Sequence, residues 1–162
     1  MDENIQHLLN LPQVSQSLDF TCGAACFACM HQYFFKESYG ELYFAEKLGT
    51  LKLGYTAPES IVDLAKEYSL HSELKIGSKF DDLTHAFFRS AVVFVTWWDE
   101  DAGHYSLVKS IESKSILLMD PWSAREGKDK RLALEEFQNY WDMRGRKMIS
   151  VRRNKEIGRA HV

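Results

Sequence analysis

Ser15 to Phe35 reads "SQSLDFTCGAACFACMHQYFF", and this stretch decides how the rest of the chain is interpreted. Its first part carries Ser, Asp and Thr, residues that end turns and cap helices. From Cys22 onward, Ala25, Cys26, Cys29, Met30, Tyr33 and Phe34 recur at spacings of three and four. That period predicts a buried helix starting at or next to Cys22.

All three cysteines of the chain, Cys22, Cys26 and Cys29, fall in this helix. Their C-x3-C-x2-C spacing matches the cluster-binding triplet of radical enzymes that use S-adenosylmethionine. Such ligands need a loop in which three thiolates converge, whereas here the intervening residues are helix formers and no fourth ligand lies nearby. No metal or other cofactor is expected. On a helix, Cys26 and Cys29 face the core as small hydrophobes. Cys22 stands at the helix start, where unpaired backbone N–H groups and the positive end of the helix dipole favour a thiolate. It is the candidate nucleophile, and a nucleophile needs a base and a group to orient that base.

Composition limits the alternatives. The 162 residues are one domain's worth of chain, and 45% hydrophobic content supplies a core, so a single domain over residues 1–162 is expected, its core from about 11 to 152. Lys and Arg total 20 against 23 Asp and Glu, a net charge of −3, which leaves no basic footprint for nucleic acid. The amino terminus, "MDENIQHLLNLPQVSQ", lacks the pattern of a secretory signal. No apolar run approaches the roughly 18 residues of a membrane span. A soluble, cytoplasmic protein with free thiols is therefore expected, and its oligomeric state is open.

The first half of the chain predicts helices: "ELYFAEKLG" (Glu41–Gly49), closed by glycine, and "APESIVDLAKEYSL" (Ala57–Leu70), with proline in its first turn. A further helix at Phe80–Arg89 leads into strand-like "AVVFVTWW" (Ala91–Trp98), "HYSLVKSIE" (His104–Glu112) and "SILLMDP" (Ser115–Pro121). Short links favour an antiparallel meander. A late helix, "ALEEFQNYWDM" (Ala133–Met143), and a last strand, "RKMISVRR" (Arg146–Arg153), complete an α+β domain, N-terminal helices packed on a C-terminal antiparallel sheet.

Of the six histidines, His7 and His161 are terminal, His31 and His85 lie within helices, and His71 follows a helix end. His104 differs: it follows Gly103 at a hairpin tip and opens a strand, where an imidazole can project toward a neighbouring helix terminus. The next strand ends at Asp120, and adjacent antiparallel strands can bring these two ends together. Taken alone, Asp120 before Pro121 also suits a turn.

With these residues in place the chain resembles the bacteriocin-processing cysteine peptidases that remove double-glycine leaders, and their stand-alone relatives in the papain-like superfamily. The resemblance runs from about Leu11 to Arg152. It rests on Q-x5-C-G-x-A (Gln16–Ala25), G-H-Y-x-L-V (Gly103–Val108), D-P-W (Asp120–Trp122) and the closing "LEEFQNYW" (Leu134–Trp141). It implies a Cys–His–Asp set of Cys22, His104 and Asp120, with Gln16 donating to an oxyanion, and a peptide or protein substrate. Thr21 stands where transporter-linked members carry aspartate, which favours the stand-alone branch.

Three features next to these residues are candidates for substrate contact. "DED" (Asp99–Asp101) can attract a basic peptide, although an exposed turn explains it as well. Trp97, Trp98 and Trp122 can wall a peptide groove or pack in the core, and Trp98 and Trp122 are the preferred substrate-binding pair. The expected reaction is hydrolysis of a peptide amide through a Cys22 thioester. Acyl transfer by the same residues and non-catalytic peptide binding are the competing functions.

Overall fold

A computed structural model of the chain describes residues 7–98 and 103–154. "DED" at Asp99–Asp101 and the terminal His161 lie outside the described residues.

The helix opening at Cys22 is where it was expected: α1 spans Cys22–Phe35, and every residue from Cys22 to His31 is buried. Burial on all sides, rather than along one stripe, suits its run of small residues. Only Gly, Ala and Cys let neighbouring elements approach a helix this closely. The helix ends with Lys36 in the left-handed conformation (φ 61°), its N–H donating to Gln32 O.

Helix α2 (Glu41–Lys47) is followed by a short α3 (Thr50–Leu53), flanked by Gly49 and Gly54. Gly49, which the sequence predicts as the close of α2, stands in the left-handed conformation (φ 76°) immediately before α3. Helix α4 covers Pro58–Glu67, ending three residues before the expected boundary. At Leu70 the chain enters strand β1 (Leu70–Lys75), so His71 sits exposed in a strand instead of after a helix end. After α5 (Phe80–Phe88) come β2 (Val92–Trp97), β3 (His104–Ile111) and β4 (Ser115–Met119). A 3-10 turn (Ser123–Glu126) then leads to a further strand, β5 (Lys130–Ala133), before α6 (Leu134–Met143) and β6 (Met148–Arg153).

Among the described residues, six strands form one antiparallel sheet in the order β1-β6-β2-β3-β4-β5. The expected meander is β2-β3-β4, which β5 extends at one edge, while β6 returns to the other side of β2 and pairs there with both β1 and β2. Helix α1 packs against β3 and α2. One apolar core connects them, from Leu9 and Leu11 through Phe27 and Phe94 to Val151. Its buried aromatic and aliphatic side chains, at about 1.5–3 kcal/mol each, hold the opening of α1 against the start of β3.

Candidate active site

Three elements converge at the first turn of α1. Thr21 precedes the helix without capping it, because its hydroxyl donates to Leu18 O (3.0 Å) and accepts from Leu18 N–H (3.2 Å). The first turn also holds no acidic residue. Its outward N–H groups therefore keep their affinity for negative charge. Cys22, at this turn, accepts a long hydrogen bond from the Tyr105 N–H (3.5 Å).

Tyr105 follows His104, the first residue of β3, and the strand start thereby places the imidazole beside the thiol. His104 is buried and hydrogen-bonds through Nε2 to Asp120 Oδ1, with Cys22 among the groups that act on its charge. Burial opposes charging of the imidazole. The bonds and charges of Asp120 and Cys22 outweigh it and raise the pKa to about 9. Asp120 is buried at the end of β4, and burial alone would favour its neutral form. His104, Ser123 and Ser106 reverse this and hold the carboxyl below its ordinary range.

Two serines that the sequence reading missed complete the carboxylate's shell. Ser106 Oγ donates to Asp120 Oδ1 (3.1 Å) and accepts from the Trp97 indole N–H (2.9 Å). Ser123 approaches Oδ2 with both its N–H (3.2 Å) and its hydroxyl (2.8 Å). The signal for Ser106 was present: it lies two residues after His104 on a strand and shares its face. Trp97 pairs with His104 in register across β2 and β3 and is buried, so it is a core residue that also anchors this chain of hydrogen bonds.

A cavity of about 600 Å³ opens beside Cys22. Asp19 and Phe20 border it, with Tyr55 and Thr56 from the loop after α3, and Thr96 and Tyr105 from the sheet. Met143, Arg144 and Lys147 close the far side. Neither expected tryptophan lines this cavity. Trp98 instead lies on the His104 ring, with centroids 4.7 Å apart, and Trp122 is partly exposed with the Arg125 guanidinium 4.3 Å over its ring. Trp98 lies just past the end of β2 at a φ of 143°, outside the strand's alternation, and Trp122 lies in the turn after β4.

Gln16 is buried, and its N–H bond to Pro121 O (3.2 Å) ties the segment before α1 to the turn after Asp120. Its side-chain Nε2 donates to Leu18 O (2.8 Å) and Asp19 O (3.2 Å). Its Oε1 is buried with no hydrogen-bond partner among the described residues. In this arrangement the amide braces the loop before Cys22. To donate to an oxyanion it must give up one of those carbonyls.

Cys26 and Cys29 are fully buried, and all three cysteines are free. Burial first, and then the charge of Cys22, pushes the Cys26 thiol far up, while burial raises that of Cys29, whose Sγ donates to Pro12 O (3.1 Å). No group of His, Cys, Asp or Glu able to hold a metal ion is found among the described residues.

A buried helix that opens on a cysteine, laid against an antiparallel sheet whose strand begins with histidine, is the architecture of the papain-like cysteine peptidases. The chain belongs to the Peptidase C39 family, whose sequence model matches residues 10–156. It is a cysteine peptidase of that family. Among solved structures, the peptidase domain of Streptococcus ComA, a bi-functional ABC transporter of a quorum-sensing pathway, superposes with a TM-score of 0.71. Identity is 20%, over 87% of this chain and 97% of that one. A double glycine motif protease from an AMS/PCAT transporter, solved with its leader peptide, gives 0.73 at 17% identity over 93% and 100% of the two chains. A C39-like peptidase from Bacillus anthracis gives 0.70 at 16%, over 92% and 98%. Comparison with curated proteins gives no match. No helix among the described residues is long and apolar enough to cross a membrane.

Proposed function

We propose that the protein hydrolyses a peptide amide bond with Cys22 as nucleophile, His104 as proton carrier and Asp120 as the group that orients the imidazole. One observation carries this reading: His104 bonds Asp120 while Tyr105, next to it on the strand, donates its N–H to the Cys22 sulfur, with the thiol at the uncapped first turn of a helix. The thiol proton passes to His104 and the sulfur attacks the carbonyl, giving a tetrahedral oxyanion beside the α1 N-terminus. Its N–H groups stabilise that charge, and Gln16 joins them once its amide is released from a loop carbonyl. A donor of this kind contributes roughly 3 kcal/mol. Imidazolium then protonates the leaving amine, leaving a Cys22 thioester, which water hydrolyses with His104 as base.

The substrate proposed is a leader peptide cleaved after a double glycine. The family and the peptide-bound AMS/PCAT neighbour support this choice. We take the whole chain as one catalytic domain, as the continuous core supports, and its three free thiols favour action in the reducing cytoplasm.

The test is incubation with a peptide carrying an internal Gly-Gly bond, followed by intact mass. The parent protein should release the two fragments and show a transient acyl adduct on Cys22. Cys22→Ala should bind the peptide without cleaving it, and unchanged cleavage by that variant would overturn the assignment.

A further inference from the structure

At the far end of α1 a second cavity of about 430 Å³ is lined by Tyr33, Phe34, Lys36, Arg89, Arg152 and Arg153, together with Ser90. Four of these carry positive charge and none is acidic, in a chain whose net charge is −3. Among the described residues, no carboxylate forms an ion pair with any of the four.

Helix ends explain part of this cluster. Helices α1 and α5 both finish here, and Arg153 donates to Phe34 O and lies over the Phe34 and Phe35 rings, so it serves the fold. The same explanation does not cover the others. Among the described residues the Lys36 side chain faces the Tyr33 ring (5.4 Å), Arg89 uses one guanidinium nitrogen on His85 (3.2 Å), and the Arg152 side chain has no polar partner. Three cations thus line one concavity at mutual electrostatic cost, with most of their donors uncommitted among the described residues.

We propose that this cavity binds a small ligand bearing two or more phosphate groups. Guanidinium forks and an ammonium are the groups that pair with phosphate oxygens, and the volume falls in the range of small-molecule sites. The site lies roughly 20 Å from Cys22, the length of a 14-residue helix. It is independent of the peptidase assignment.

Titration with inorganic tripolyphosphate, followed by calorimetry, tests the site directly. The protein should bind one equivalent, and Lys36→Glu/Arg152→Glu should weaken binding by at least about tenfold. Lys128→Glu, which reverses an exposed cation elsewhere, should change it less than about twofold. Arg153 is left intact because it braces α1; Arg89→Glu is the second variant should the double one fail to melt cooperatively. Peptide cleavage by the variants should match the parent, which separates this site from the catalytic one. Co-sedimentation with phosphatidylglycerol vesicles is the competing arm: vesicle binding lost in the same variants, without tripolyphosphate binding, overturns the proposal in favour of an anionic membrane surface. Absence of binding to both probes, or equal weakening by Lys128→Glu, overturns the proposal.

Discussion

A β-carbon placed on Gly23 would lie 2.7 Å from Thr56 Cβ and 3.0 Å from the Tyr105 ring. Neither neighbour can withdraw. Thr56 Cβ is fixed by its backbone, its hydroxyl bonds Thr50 (2.7 Å), and the Tyr105 hydroxyl donates to Thr56 O (2.9 Å). The glycine after the cysteine is therefore a demand of close packing between α1 and the loop after α3. Gly23→Ala should cost about 1–3 kcal/mol of stability by overpacking. It should also move Cys22 relative to His104 and lower kcat. Urea unfolding and cleavage assays check both; an unchanged midpoint with full activity would show that the wall yields.

Ser106 links Trp97 to Asp120, and its removal separates positioning from bulk packing. In Ser106→Ala the indole N–H is left buried without its acceptor, which should cost about 1–3 kcal/mol. Asp120 also loses one of the donors that hold its pKa down, so the acid limb of the kcat/KM profile should move to higher pH. Loss of stability without that shift would make Ser106 a packing residue only.

Much of this arrangement was readable from the chain because each catalytic candidate begins or ends an element. Cys22 opens a helix with a clear 3.6 period, His104 opens a strand after glycine, and Asp120 closes one before proline. Elements without such punctuation were not read. In β1 the inward Leu70, Ser72 and Leu74 alternate with His71, Glu73 and Lys75, a pattern too polar to stand out beside the preceding helix. Strand β5 has four residues and one buried leucine, and it forms only because β4 offers an edge. The cavity wall escaped for another reason. Residue type points to Trp98 and Trp122, but Trp98 follows β2 at a φ of 143° and Trp122 lies in the turn after β4, where the direction of a side chain is set by a backbone conformation that residue type does not carry.

The three cysteines should react unequally. Cys22 is the one that reaches the cavity, while Cys26 and Cys29 are fully buried and their thiols are held protonated by burial. Iodoacetamide under native conditions should add once, at Cys22, and cleavage activity should fall in step with that addition. In denaturant all three should label. Native labelling shared equally with Cys26 would show that the helix opens and that burial does not select the thiol.

The pH dependence follows from the buried pair. His104 titrates at about 9 in the folded chain against an ordinary 6.5, so its contribution to stability is complete below 6.5 and disappears as pH rises through about 9. Asp120 is shifted the other way: its contribution is complete above the ordinary 3.8 and disappears as pH falls through its lower folded value. Both contributions are present together between 3.8 and 6.5, and this pair should make thermal stability greatest there. Cleavage should persist to more alkaline pH than stability alone implies, failing near 9 when imidazolium is no longer present to protonate the leaving amine. In Asp120→Asn the carboxylate that raises the imidazole is gone, so the alkaline limb should move to lower pH and kcat should fall. An alkaline limb that stays in place in Asp120→Asn would mean that another group, and not His104 held by Asp120, carries the proton.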